Sequence, residues 1–114
     1  MEFMLVLYED IDLIATDEQR KEAVQRTGEY AMSLVSDQVL KGGAPLRPVT
    51  EAKRVRTRGG QQRILDGPFA EAKEVIAGYF IIEASSVEAA TAIAARCPNA
   101  EFGSVEVRQI VPMG

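Results

Sequence analysis

The stretch Val75-Ile76-Ala77-Gly78-Tyr79-Phe80-Ile81-Ile82-Glu83-Ala84 decides the fold. Read as a strand, it places Val75, Ala77, Tyr79 and Ile81 on one face and Ile76, Gly78, Phe80 and Ile82 on the other. Neither face is polar, so both require cover. Phe3 to Tyr8 is a second apolar run, ending at Glu9-Asp10, and it also reads as a strand covered on both sides. With 114 residues the chain suits one domain, spanning 1–114, with one modest core.

Working outward from that strand, Ser85-Ser86-Val87-Glu88 has the form of a capping box. Val87, Ala90, Ile93 and Ala94 then make a narrow apolar helical stripe, which Cys97-Pro98-Asn99 ends. In the last strand Val105, Val107 and Gln109 alternate with Glu106, Arg108 and Ile110. Upstream, Asp66-Gly67-Pro68-Phe69 turns the chain sharply. Before it, Ala52 to Thr57 and Gln62 to Leu65 are strand candidates joined across Gly59-Gly60, a hairpin signal. Pro45 and Pro48 bracket an extended segment, Ala44 to Val49, too rich in proline for a central strand. Near the start, Thr16-Asp17-Glu18-Gln19 opens a long amphipathic helix. Its apolar stripe is Val24, Thr27, Ala31, Leu34 and Val35, with Val39 beyond, and Lys41 with Gly42-Gly43 supplies the expected stop.

The order β, long α, hairpin, β, α, β is the α+β, ferredoxin-like pattern βαββαβ with an extra hairpin strand. Two helices cover one sheet face. The other stays apolar, and a second copy stacked sheet to sheet is the economical cover. A homodimer is therefore expected, with any pocket near the subunit interface.

Composition narrows the chemistry. Seventeen acidic residues against thirteen basic give a net charge of -4, which makes nucleic acid or an anionic membrane an unpromising main partner. No apolar run approaches the roughly 20 residues of a membrane span, and Met1-Glu2 opens no secretory signal. The single cysteine, Cys97, fits a cytoplasmic setting. There is no histidine, so His-based triads and His-ligated zinc are excluded. Carboxylates, Lys, Tyr or Cys97 would have to move any proton. No metal or organic cofactor is expected, because no carboxylates stand at a recognisable ligand spacing.

Asp66-Gly67-Pro68-Phe69-Ala70-Glu71-Ala72-Lys73-Glu74 closely resembles the signature of the DGPF branch of the YCII-related family. The likeness continues through Gly78 to Glu83, Arg96-Cys97-Pro98 and Gly103 to Arg108, with Tyr8 in the first strand. It implies ferredoxin-like subunits paired as a dimeric α+β barrel. Shorter YciI-type relatives are thought to use a His–Asp pair, but here the first helix lacks His and Cys97 precedes Pro98 where that Asp would stand. DGPF-type chains also resemble domains found beside or fused to extracytoplasmic-function sigma factors, which implies a sigma-factor-type protein partner.

Asp66 is the candidate acid or base, as a strand-end carboxylate on a Gly-Pro turn. The structural alternative is that it accepts backbone N–H bonds to shape that turn. Tyr8, Phe69, Glu71, Lys73, Arg96 and Arg108 are the candidate ligand-binding residues, for a small polar or anionic molecule. Otherwise the charged members are solvated ion pairs and the aromatics are core or interface. Cys97, at a helix C-terminus with no His beside it, reads as packing rather than nucleophile. Lys53, Arg54, Arg56, Arg58 and Arg63 crowd the hairpin without an aromatic residue among them. They suit nucleic-acid or phosphate binding, or a charged edge that resists aggregation. The expected function is a small-ligand-binding domain. The alternatives are a cofactor-independent lyase, isomerase or hydrolase using Asp66, and an accessory to a transcription regulator.

Overall fold

The computed structural model describes residues 1–69 and 73–113. Four strands form the main sheet: β1 (Glu2–Asp10), β2 (Leu40–Pro45), β5 (Glu74–Glu83) and β6 (Gly103–Gln109). Their order is β2-β5-β1-β6, and each neighbouring pair is antiparallel. With the hairpin set aside, this is the ferredoxin-like α+β arrangement. The two apolar runs of the sequence are its central strands.

Phe3, Leu5 and Leu7 of β1 join Phe80 and Ile82 of β5 beneath α1 (Asp17–Ser36) and α2 (Val87–Ala95). The Tyr30 ring meets Phe80 edge-on, 5.8 Å between centroids, and its hydroxyl donates to the Ile93 carbonyl at 2.7 Å. That one side chain ties α1 to both the sheet and α2. Register places Met4, Val6, Tyr8, Tyr79 and Ile81 on the opposite face, which no helix or strand among the described residues covers. The molecule is 18 Å thick, the depth of one sheet and one helix layer.

At the start of α1, Thr16 Oγ1 accepts from Gln19 N at 3.1 Å and Gln19 Oε1 accepts from Thr16 N at 3.0 Å, the capping box read from sequence. The other end differs. α1 stops at Ser36, and Gly42-Gly43 lies within edge strand β2. Gln38 takes φ 60°, with Gln38 N donating to the Val35 carbonyl and Val39 N to that of Leu34. These two bonds form a Schellman stop built without glycine. The buried stripe is also rotated by about one residue, running through Ala23, Tyr30 and Leu34 and leaving Val24 and Val35 exposed.

Smaller differences follow from local chemistry. Ser86, not Ser85, caps α2, accepting from Ala89 N at 3.1 Å. A bulge between Leu7 and Tyr8 sets Tyr8 against Ile76, so Ile76 joins the uncovered face instead of the one shared by Phe80. A short helix, α3 (Asn99–Phe102), follows Pro98 where the sequence signalled only an end.

The inserted hairpin, β3 (Lys53–Arg58) and β4 (Gln61–Asp66), forms its own two-stranded sheet. Its tip needs positive φ at two successive residues, met by Gly59 at 57° and Gly60 at 77°. A single 3₁₀ turn, Val49–Glu51, leads into it. Behind that turn sits Gly67, whose N donates to the Ala52 carbonyl at 2.8 Å. A Cβ on Gly67 would lie 2.3 Å from the Val49 carbonyl oxygen. The glycine of the Asp-Gly-Pro-Phe run is therefore a close-approach residue joining that turn to the 3₁₀ segment.

Candidate functional site

α1 and α2 do not cover the whole sheet. Between α1 and the path of β2 and the 3₁₀ turn lies a cleft of about 700 Å³. Leu7 and the backbone of β5 contribute to its floor, Ala23, Val24 and Ala31 to one wall, and Leu46 and Val49 to the other. Its lining is largely apolar, as in most small-molecule sites.

Polar groups gather where β1 meets α1. On the face that carries Phe3, Leu5 and Leu7, the period of two reaches Glu9, placing a carboxylate at the end of an apolar column. Glu9 is only 12% exposed, and Arg20 Nη1 donates to its two oxygens at 2.7 and 2.9 Å. Arg20, half exposed, stands within the first turns of α1, which the Thr16 cap fixes against β1. Asn99 also lines the cleft and is 2% exposed. Its Oδ1 accepts from the Thr27 hydroxyl at 3.3 Å and the Cys97 thiol at 3.7 Å, while Nδ2 donates to the Tyr8 carbonyl at 3.4 Å. Burial pushes the Cys97 thiol up, keeping it protonated and unreactive at neutral pH.

The residues singled out in the sequence lie elsewhere. Asp66 pairs across the hairpin with Lys53 at 2.5 Å, and its side chain is 75% exposed. Phe69 lies under the Arg54 guanidinium, 3.8 Å from the ring centre. Arg96 approaches Asp37 at 3.8 Å, joining the ends of α2 and α1. Lys73 is exposed, with its carbonyl accepting from Ile11 N at 3.3 Å. Glu71 lies outside the described residues.

Among the described candidates, only Tyr8 and Arg108 come together. Both reach Glu106 on the uncovered face, the Tyr8 hydroxyl donating at 3.1 Å and Arg108 Nη1 at 3.2 Å. The Glu106 hydrogen bond, with some burial and that carboxylate's charge, holds the Tyr8 phenol above its ordinary range.

None of the six described candidates lines the cleft. Glu9, Arg20, Thr27 and Asn99, which do, were not among the site candidates read from sequence. Alternation along β1 held the one usable signal, since it carries Glu9 onto the helix-covered face. Among the described residues no three carboxylate or thiol groups are placed to share a metal ion, and no helix is long and apolar enough to cross a membrane.

Over 69 residues the chain is 39% identical to a Rhizobium meliloti (strain 1021) protein named uncharacterized protein R00369. That alignment takes in 59% of this chain and 56% of the relative, so the chain spans little more than half of that protein's length. The YCII-related domain profile matches residues 1–114, and the chain belongs to the YCII-related domain family.

Proposed function

We propose that this protein is a homodimeric, cytoplasmic small-molecule-binding module whose ligand occupies the cleft between α1 and the sheet. The carrying observation is a mostly apolar cleft of about 700 Å³ with the Glu9–Arg20 pair among its lining residues. Such a site suits an amphipathic molecule with an apolar body and one polar or charged head. That refines the polar ligand expected from the sequence. Both Glu9 oxygens already face Arg20, which supports an anchoring role over proton transfer. Asp66, exposed and paired with Lys53, has the surroundings of a turn residue.

Pairing of two copies is supported by surface area. The protomer exposes 7910 Å², against roughly 6100 Å² expected for a compact monomer of its mass. The excess is about twice what one partner buries in a standard interface. Its radius of gyration of 15.7 Å likewise exceeds the roughly 13 Å of a compact domain of this length. The uncovered face of β1 and β5 is the apolar surface that pairing would remove from water.

A thermal-shift screen of small amphipathic acids and amines tests the ligand. A true ligand at a hundred times its Kd should stabilise by about 2.7 kcal/mol. Glu9→Gln and Arg20→Gln should abolish that shift while Asp66→Asn keeps it. The reverse pattern would move the site to the Asp66 turn.

A further inference from the structure

The hairpin carries its charge on one face. Strand alternation and register put Arg54, Arg56 and Arg58 on the same side as Leu65, Arg63 and Gln61. The other side holds Lys53, Val55 and Thr57 against Asp66, Ile64 and Gln62. That second face closes its own charge, since Lys53 and Asp66 are directly opposed and ion-paired. On the first face, no carboxylate among the described residues pairs with Arg56, Arg58 or Arg63.

Arg56 and Arg63 are also direct cross-strand partners. Like charges in that position destabilise a hairpin, and an isolated two-stranded sheet has little stability to lose. A charged edge that only resists aggregation would be served as well by alternating signs. Instead Arg56, Arg58, Arg63, Gln61 and Leu65 line a hollow of about 300 Å³. Three guanidiniums and an amide round a small concavity are suited to a compact anion carrying several oxygens, because each guanidinium offers paired N–H donors. The chain's net charge is -4, so this patch is a positive island on a negative molecule.

We propose that this hairpin face is a second binding site, separate from the α1 cleft, for a small phosphorylated ligand held by Arg56, Arg58 and Arg63. Nucleic acid fits less well: residues 53–66 include no aromatic side chain on which a base could stack. Neighbouring arginines along β3 are about 7 Å apart, two residues of strand rise. Their long side chains can converge on a di- or triphosphate group.

Calorimetric titration of the full chain with inorganic pyrophosphate tests the site. Saturable binding is expected at about 20 mM salt and should weaken severalfold by about 200 mM, because an exposed site is screened. Arg56→Gln or Arg63→Gln should each weaken it about tenfold, the effect of losing one charged hydrogen-bonding partner. Lys53→Gln removes the same charge from the opposite face and should change it less than about twofold. Without ligand, Arg63→Gln should also slow amide exchange in the hairpin by relieving the opposed charges. Absence of saturable binding up to about 10 mM pyrophosphate would overturn the proposal. So would equal weakening by Lys53→Gln, or faster exchange in Arg63→Gln. Tighter binding of a polyglutamate peptide than of pyrophosphate would also overturn it, assigning the face to an acidic protein.

Discussion

The two faces of the main sheet are built from the same strands but face different surroundings. Phe80 and Tyr79 are adjacent in β5. Phe80 is buried against Tyr30, whereas Tyr79 stands with Val6 and Ile81 on a face that no described element of the protomer covers. Hydrophobicity alone therefore does not mark the core of this chain. What distinguishes the faces is the connection between strands, since both long crossovers return over the same side.

The sharpest way to break that comparison is to truncate the neighbours in parallel. Phe80→Ala should cost about 3–5 kcal/mol, read as a fall in denaturation midpoint that is the same at every protein concentration. Tyr79→Ala should cost less than about 1.5 kcal/mol in dilute protein, with its main effect on the concentration dependence of Tm. Equal losses at all concentrations would mean that the second face is packed within one copy.

A smaller loss is expected at the cleft wall. Gly67→Ala forces a methyl group against the Val49 carbonyl and should cost about 1–3 kcal/mol through displaced backbone. Because Val49 lines the cleft, ligand-induced stabilisation should fall as well. Retained stability with retained ligand response would separate the Asp-Gly-Pro-Phe turn from the site.

Two tyrosines sharpen the comparison through pH. Both phenols are pushed up, Tyr30 chiefly by burial and Tyr8 chiefly by its hydrogen bond to Glu106. A raised folded pKa means that the neutral phenol is favoured by folding. That stability is intact below the unfolded value near 10 and is lost as pH climbs through the folded value. Ultraviolet titration should therefore show Glu106→Gln restoring Tyr8 toward its ordinary range while Tyr30 stays high. Tyr30→Phe should cost about 1 kcal/mol at neutral pH through the lost bond to Ile93 and should flatten the alkaline fall.

Much of this was legible from residue order. The two central strands, the Thr16 cap, the Gly59-Gly60 turn and the burial of Cys97 each follow from local chemistry that needs no distant partner. The cleft was not legible, because it arises where α1 fails to cover the sheet. Glu9 and Asn99 meet there only after β1, α1 and α3 have packed. The candidates were chosen for charge and motif, and the fold distributes the described ones among the hairpin, the approach to β5, the helix ends and the uncovered face. A turn sequence can be well defined because it buttresses a site without lining it. Gly67 fits that description: it touches the 3₁₀ segment, and the 3₁₀ segment touches the cleft.

The end of α1 shows the same lesson at the scale of one residue. Gly42-Gly43 drew the helix stop several residues too far along, since glycine is the usual sign of a left-handed terminus. The terminus forms at Gln38, held by the bonds from Gln38 N and Val39 N back to the last turn. A non-glycine residue in that conformation costs about 1 kcal/mol, so packing of Leu34 and Leu40 against the covered face must outweigh it. Gln38→Gly should therefore stabilise the protein by up to about 1 kcal/mol. In thermal unfolding that is a rise of about 3–6 °C for a domain of this size. A fall instead would show that the Gln38 side chain contributes more on the covered side than its backbone loses.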